Sequence, residues 1–249
     1  MDVLISAVLP VALAALVGVG IGRSFKLDMT TLARVSIYGL LPALVLTSLA
    51  ESTLRPESAL AIVLTFVLNT ALLYGIAAAI GRGFQFPSDT QKSLIATTIF
   101  ANVGNMGLPF VLFALGNAGL ERAIVYLVGS SLLIATVFPI LLKGDGIRAG
   151  INVTLRLPVF WAAMAGIGLQ ASQVVLPQPI ERGAALLADG AIPLALLTLG
   201  IQLSQTRLVI GGYELLGATL RLVVSPLLAY SVGRILGLAG LDLQVVTLQ

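Results

Sequence analysis

Eight stretches of about 20 apolar residues follow one another through this 249-residue chain, each long enough to cross a roughly 30 Å hydrocarbon layer as a helix. They run roughly over 3–22, 31–50, 58–80, 92–115, 121–142, 152–170, 183–203 and 213–238. Hydrocarbon supplies no partner for free N–H and C=O groups, so every stretch is predicted to be helical. Charged residues make up only 10% of the chain, too few to cover a water-soluble globule. The fold class expected is an all-α membrane protein, a multi-span helical bundle. The first stretch opens on Asp2 instead of a basic residue, and it is too long for a signal-peptide core, so it is expected to stay in the mature protein.

Lys and Arg divide unevenly between alternate loops. Arg23, Lys26, Arg34, Arg82, Lys92, Lys143, Arg148, Arg156 and Arg207 fall on one side, against Arg55, Arg122, Arg182 and Arg234 on the other. The positive-inside rule then places the amino terminus outside a cell (inner) membrane, with the richer set in the cytoplasm. Membrane orientation thereby accounts for the pI near 9.5, and no nucleic-acid partner is implied.

The chain has no cysteine and no histidine, which removes disulfides, thiolate and imidazole metal sites, and histidine-activated nucleophiles. Gly129-Ser130-Ser131 therefore has no base to activate a serine. Asp145 is a single carboxylate where an aspartyl protease needs two. No phosphate-binding loop appears, so any energy must come from gradients. The inventory points away from an enzyme, a metal or a cofactor, and toward transport.

Four anchors recur in the same order. Leu9-Pro10 is matched by Leu157-Pro158, and Pro42 with Leu46-Thr47 by Pro193 with Leu197-Thr198. Ala71-Leu-Leu-Tyr74 is likewise matched by Leu227-Leu-Ala-Tyr230. Five spans separate the copies, and an odd number inverts the second. The first five-span repeat is assigned to 1–145 and an incomplete second one to 150–249. Asp242 to Gln249 reads as the start of a ninth span, and the sequence is expected to be truncated within it; an eight-span protein with a short tail is the alternative.

The fourth stretch contains Asn102-Val-Gly104-Asn105-Met-Gly107-Leu-Pro109. Glycine and proline disfavour a helix interior by about 1 and about 3 kcal/mol, so a break is predicted here. At membrane depth a break persists only where protein or a wet cavity covers it. Half-helix ends supply N–H groups near Pro109 and carbonyls near Asn102, and the two amides can hold a carboxylate without a permanent charge. Asn102, Gly104, Asn105, Gly107 and Pro109 are accordingly the expected substrate-binding residues for an organic anion. The alternative is a proline kink whose asparagines bond neighbouring helices.

This run, with Ala114-Leu-Gly116, Leu41-Pro42 and Ile192-Pro193-Leu-Ala-Leu-Leu-Thr-Leu-Gly200, resembles the auxin efflux carrier family and its bacterial members. The resemblance covers nearly the whole chain. It implies an inverted-repeat carrier of the sodium/proton-antiporter type, with spans four and nine broken and crossing, often a homodimer, moving organic acids. The second crossing helix is absent here.

Asp189, Asn69 and Arg221 are the candidates for a coupling-ion site, proton or sodium, because polar groups at membrane depth are costly. Each has a plainer reading. Asp189 caps a helix if the seventh span starts later, Asn69 bonds a neighbouring helix, and Arg221 either snorkels or balances an anion. Gln202 and Gln205 default to interhelical bonds. The function expected is secondary transport of a small carboxylate by alternating access, with spans one, two, six and seven as scaffold and dimer surface. The alternative is a non-transporting or regulatory remnant.

Overall fold

A computed structural model describes residues 2–143, 147–206 and 211–249; Asp145 and Arg207 lie outside the described residues. Twelve α-helices run in order: α1 (Asp2–Ser24), α2 (Met29–Val35), α3 (Leu41–Ala50), α4 (Pro56–Gly83), α5 (Ser88–Ile99), α6 (Leu108–Lys143), α7 (Ile147–Arg156), α8 (Pro158–Ser172), α9 (Gln178–Gln205), α10 (Gly212–Thr219), α11 (Ser225–Ile235) and α12 (Gly240–Leu248). No strand occurs among the described residues, and the chain is an all-α multi-span membrane protein.

Three wide five-residue turns, Ser36–Leu40, Val103–Gly107 and Leu220–Val224, are built into this helical path. Each is followed within two residues by a proline: Pro42, Pro109 and Pro226. Proline lacks an N–H and its ring clashes with the carbonyl four residues back, so a turn closed by i+5 bonds makes room for it. Pro10 and Pro193 instead lie inside α1 and α9 without such a turn.

Among the described residues, six segments are long and apolar enough to cross a membrane, and a seventh is the bent pair α7 and α8. One segment, Ser88–Thr136, holds 49 residues, about 70 Å of helix and too much for one crossing. It contains the fourth and fifth stretches, parted at Gly116, where φ 70 and ψ −168 leave the helical path. All eight stretches thus have a helical counterpart. The sixth departs from expectation, because 152–170 is not one rod. Pro158 holds Leu157 extended at ψ 122, and the chain turns by 66° there.

Spans one, two, six and seven pack together, α1 along α9 and α3 against α8 and α9. On the other side α4 packs on α5 and α11, and α11 on α12. Helix α6, which holds the second half of span four and span five, touches both groups. The first group is drawn close by glycines. A β-carbon on Gly18 would lie 2.3 Å from the main-chain oxygen of Leu197, and one on Gly166 would lie 2.9 Å from that of Leu46. Small residues are what let helix backbones approach in a membrane.

The core lies beside the break, where Val45 of α3, Ile62 and Phe66 of α4, Val111 and Ile124 of α6, and Val245 of α12 are buried. Leu16, Leu60, Leu186, Leu222 and Ile235 are exposed on the outside of the bundle. In water they would form a large apolar surface; against lipid tails they are solvated.

Candidate functional site

The fourth span breaks where the glycines, asparagines and proline cluster. α5 ends at Ile99 and Phe100 is extended (φ −93, ψ 98). Asn102 (φ −81, ψ 63) then starts the second half: its Oδ1 accepts the N–H of Asn105 at 3.2 Å. Its main-chain oxygen accepts the N–H groups of Met106 and Gly107 at 3.2 and 3.1 Å. The first half-helix thus ends three residues before Asn102, which itself caps the second, because a short carboxamide satisfies an orphan donor at a helix start.

Two hollows flank the break. One, of about 170 Å³, lies between Asn102, Gly104 and Asn105 and the residues Ser36, Leu41 and Ala191 of spans two and seven. The other, of about 370 Å³, is walled by Asn102 and Gly107 on one side and by Arg221, Ser225 and Gln249 on the other. Asn102 borders both. A groove of about 390 Å³ between Leu49, Leu60, Val128 and Ile167 is larger but almost wholly apolar, with little to hold an ion.

Residues 3–152 and 151–249 match, in turn, the family described as membrane transport protein. The chain belongs to that family. It is a family of transporters of the auxin efflux carrier type, not of enzymes, as the residue pattern implied. The chain is 30% identical over 232 residues to an uncharacterized transporter of Methanothermobacter thermautotrophicus, covering 89% of this chain and 74% of the relative. It is 25% identical over 181 residues to an uncharacterized transporter of Methanocaldococcus jannaschii, covering 67% of this chain and 56% of that one. The chain thus spans little more than half the length of the second relative.

In this transporter the break gathers most of the residues singled out from sequence. Asn102, Gly104, Asn105 and Gly107 line the hollows, whereas Pro109 is buried beyond both walls. Arg221 lines the larger hollow, donating from Nη1 to Ser225 Oγ at 3.3 Å and from Nη2 to the Gln249 main-chain oxygen at 2.6 Å. Asn69 is buried in α4 and donates from Nδ2 to the same Ser225 Oγ at 3.1 Å. Asp189 is not brought to the break. It is exposed midway along α9, in an unbroken helix that starts at Gln178, so it caps nothing. Gln202 and Gln205 are exposed near the end of α9.

Sequence reasoning missed Gln249, Ser225 and Tyr126. Both polar atoms of the Gln249 carboxamide are buried without a hydrogen-bond partner among the described residues. They reach this depth because residue 107 is glycine: a β-carbon there would lie 2.2 Å from Gln249 Oε1. Tyr126 is buried edge-on to Phe66 and interacts with Arg221. Ser225 had a signal, since it is a hydroxyl beside Pro226 inside the apolar eighth stretch.

Proposed function

We propose that this transporter carries a small organic anion, a carboxylate, by alternating access, with the break in the fourth span as its binding site. The observation that carries the reading is the capped break itself, open to a hollow on either side and lined by neutral amides. Main-chain N–H groups and carboxamides can replace the water shell of a carboxylate without a fixed countercharge at every step. A site bordered on one side by spans two and seven and on the other by spans eight and nine is suited to being reached from each side in turn.

The inverted repeat is part of the proposal. With Pro10 set against Pro158 and Pro42 against Pro193, Gly18 corresponds to Gly166 and Leu46 to Leu197. Two of the close glycine approaches in the scaffold, Gly18 to Leu197 and Gly166 to Leu46, are then one contact made twice. Spans one, two, six and seven are the scaffold and the homodimer surface, in a cell membrane with the amino terminus outside. Asn69, buried with no partner for its Oδ1 among the described residues, is better placed for a coupling proton or sodium ion than exposed Asp189.

Carboxylate uptake into vesicles tests the reading. Asn105→Ala is expected to lower it at least tenfold, the effect of losing a polar group that the substrate needs. Unchanged uptake removes the proposed site.

A further inference from the structure

We propose that α7 is a docking surface for an anionic phospholipid, with Arg148 and Arg156 holding its phosphate and the apolar side chains beside them covering its acyl chains. The proposal is independent of the carboxylate reading above, since α7 lines neither hollow. The two segments matched by the family, 3–152 and 151–249, meet inside this ten-residue helix. It is too short to cross a bilayer, and it is turned by 66° from α8, so it lies nearer to the membrane plane than along the span. One face is fastened to the protein. A β-carbon on Gly150 would lie 2.4 Å from the main-chain oxygen of Thr136 in α6, and Thr154 Oγ1 lies 3.1 Å from Thr136 Oγ1. Arg148, Asn152 and Arg156 recur every four residues and so form one row, about half a turn round the helix from Gly150 and Thr154. All three are exposed.

Between the fastened face and the arginine row stand Ile151 and Leu155, 47% and 44% exposed, and Trp161 of α8 extends that apolar edge at 58%. Trp161 Nε1 donates to the Leu155 main-chain oxygen at 2.9 Å, which seats the indole at the bend. Exposed apolar side chains alongside basic ones make a helix that lies in the headgroup layer, where lipid tails cover the first and a phosphate meets the second. The single extended residue Leu157 ties α7 to a membrane span, so the layer beside it is bilayer. The charge of the lipid follows from what the arginines lack. α7 contains no acidic residue, and every ion pair among the described residues involves other groups. A zwitterionic headgroup would bring its own cation to the row, whereas an anionic one brings net attraction. Each guanidinium offers a planar fork that fits two phosphate oxygens.

Trp161 is the only tryptophan in the chain, so its fluorescence reports on this surface alone. The test is its quenching by brominated phosphatidylglycerol or brominated phosphatidylcholine, with the 249-residue chain in vesicles mixed from the two lipids. The intact chain is expected to favour phosphatidylglycerol at least about fivefold over its share of the bilayer, the margin of one arginine at a membrane surface. Replacing both residues, Arg148→Gln with Arg156→Gln, should bring the preference close to one. Arg23→Gln with Arg82→Gln, which removes the same charge from two other exposed sites, should leave it intact. Equal quenching by the two lipids in the intact chain overturns the proposal, as does a preference that survives loss of Arg148 and Arg156. A loss just as large in the Arg23 and Arg82 pair also overturns it, because net charge would then be the cause. Where the first pair does not fold, Arg148→Gln and Arg156→Gln are read singly; each should lower the preference at least about twofold, and no change in either overturns the proposal. Inorganic phosphate added to the vesicles should leave the quenching unchanged. If it displaces the labelled lipid, the row binds free phosphate and the lipid assignment falls.

Discussion

Asn69 in the third span donates to Ser225 in the eighth at 3.1 Å, and each lies five residues before a tyrosine, Tyr74 and Tyr230. Those tyrosines are anchors of the proposed repeat, so the two bonded residues hold the same place in its two copies. A residue that touches its own counterpart lies on the axis relating them. Under the proposed repeat this pair marks where the halves meet, one helical turn from Arg221.

Removing either member should show that they act as a pair. Asn69→Ala and Ser225→Ala are each expected to destabilise the fold by about 1 kcal/mol, with a coupling of about 0.6 kcal/mol in the double variant, typical of interhelical bonds in membranes. Unfolding in mixed micelles measures all three. Strict additivity would mean that the bond contributes nothing.

The scaffold glycines make a sharper prediction because the close approach is specific. Gly18→Val and Gly166→Val both force a side chain into a main-chain oxygen and should each cost at least about 2 kcal/mol. Gly20, in the same helix as Gly18, has open space around a built β-carbon. Gly20→Ala should be neutral or stabilising by up to about 1 kcal/mol through helix propensity. Thermal unfolding of the three variants distinguishes contact from composition.

Gly116 isolates backbone conformation from packing. Nothing lies within 4 Å of a β-carbon built there, yet its φ of +70 is one that side chains resist. Gly116→Ala is expected to cost about 1–3 kcal/mol with no steric clash, loosening the junction between the fourth and fifth spans. Thermal unfolding beside Gly20→Ala, a site with open space in the regular helix α1, is the control. Equal stability of the two variants would refute the assignment.

Much of this was legible in the residues because hydrocarbon is so strict a solvent. A 20-residue apolar run has one outcome, and five helix-disfavouring residues in eight positions have one place to break. What sequence could not supply was direction. Asn102 caps the second half-helix because its Oδ1 finds the Asn105 N–H, a choice made by local geometry. Asp189 looks functional from its depth along the chain, but it is exposed and lines neither hollow. Arg221 turns inward instead of snorkelling because Ser225, Gln249 and Tyr126 converge there from three different helices, a coincidence of packing that no local pattern records. The bend at Leu157 was readable from Pro158; the run of apolar residues across it concealed the signal.

At one end of the bundle Arg122 pairs with Asp242 of α12 and, at 3.7 Å, with Glu121. Glu121 also accepts the N–H of Leu54 at 2.8 Å and the hydroxyl of Ser52. These side chains are only 14–19% exposed, unlike the pair Arg55 and Glu57 at 82% and 75%. A shielded, multiply bonded cluster stabilises where an exposed pair contributes little. Asp242→Ala should speed amide hydrogen exchange through α12 by roughly tenfold, corresponding to about 1.4 kcal/mol, while Glu57→Ala leaves it unchanged. Equal exchange in both variants would show that the cluster does not hold α12.

Asp28, between the first two spans, carries a pH dependence outside the membrane. Its Oδ2 accepts the Thr31 hydroxyl at 2.6 Å and its Oδ1 the Thr30 N–H at 2.9 Å, capping α2. Both bonds favour the carboxylate, the hydroxyl most, and hold its pKa below the usual 3.8. Because the folded value is the depressed one, the cap is fully in force above the ordinary aspartate range and is lost as pH falls through the lowered folded value. NMR titration of the Asp28 carboxyl should find a midpoint below 3.8, and Thr31→Val should move it upward by removing the larger cause. The Thr30 amide should exchange faster as the carboxyl protonates, and Asp28→Asn should flatten that response. A midpoint at or above 3.8 in the unaltered chain would show that these two bonds do not form in the membrane-bound protein.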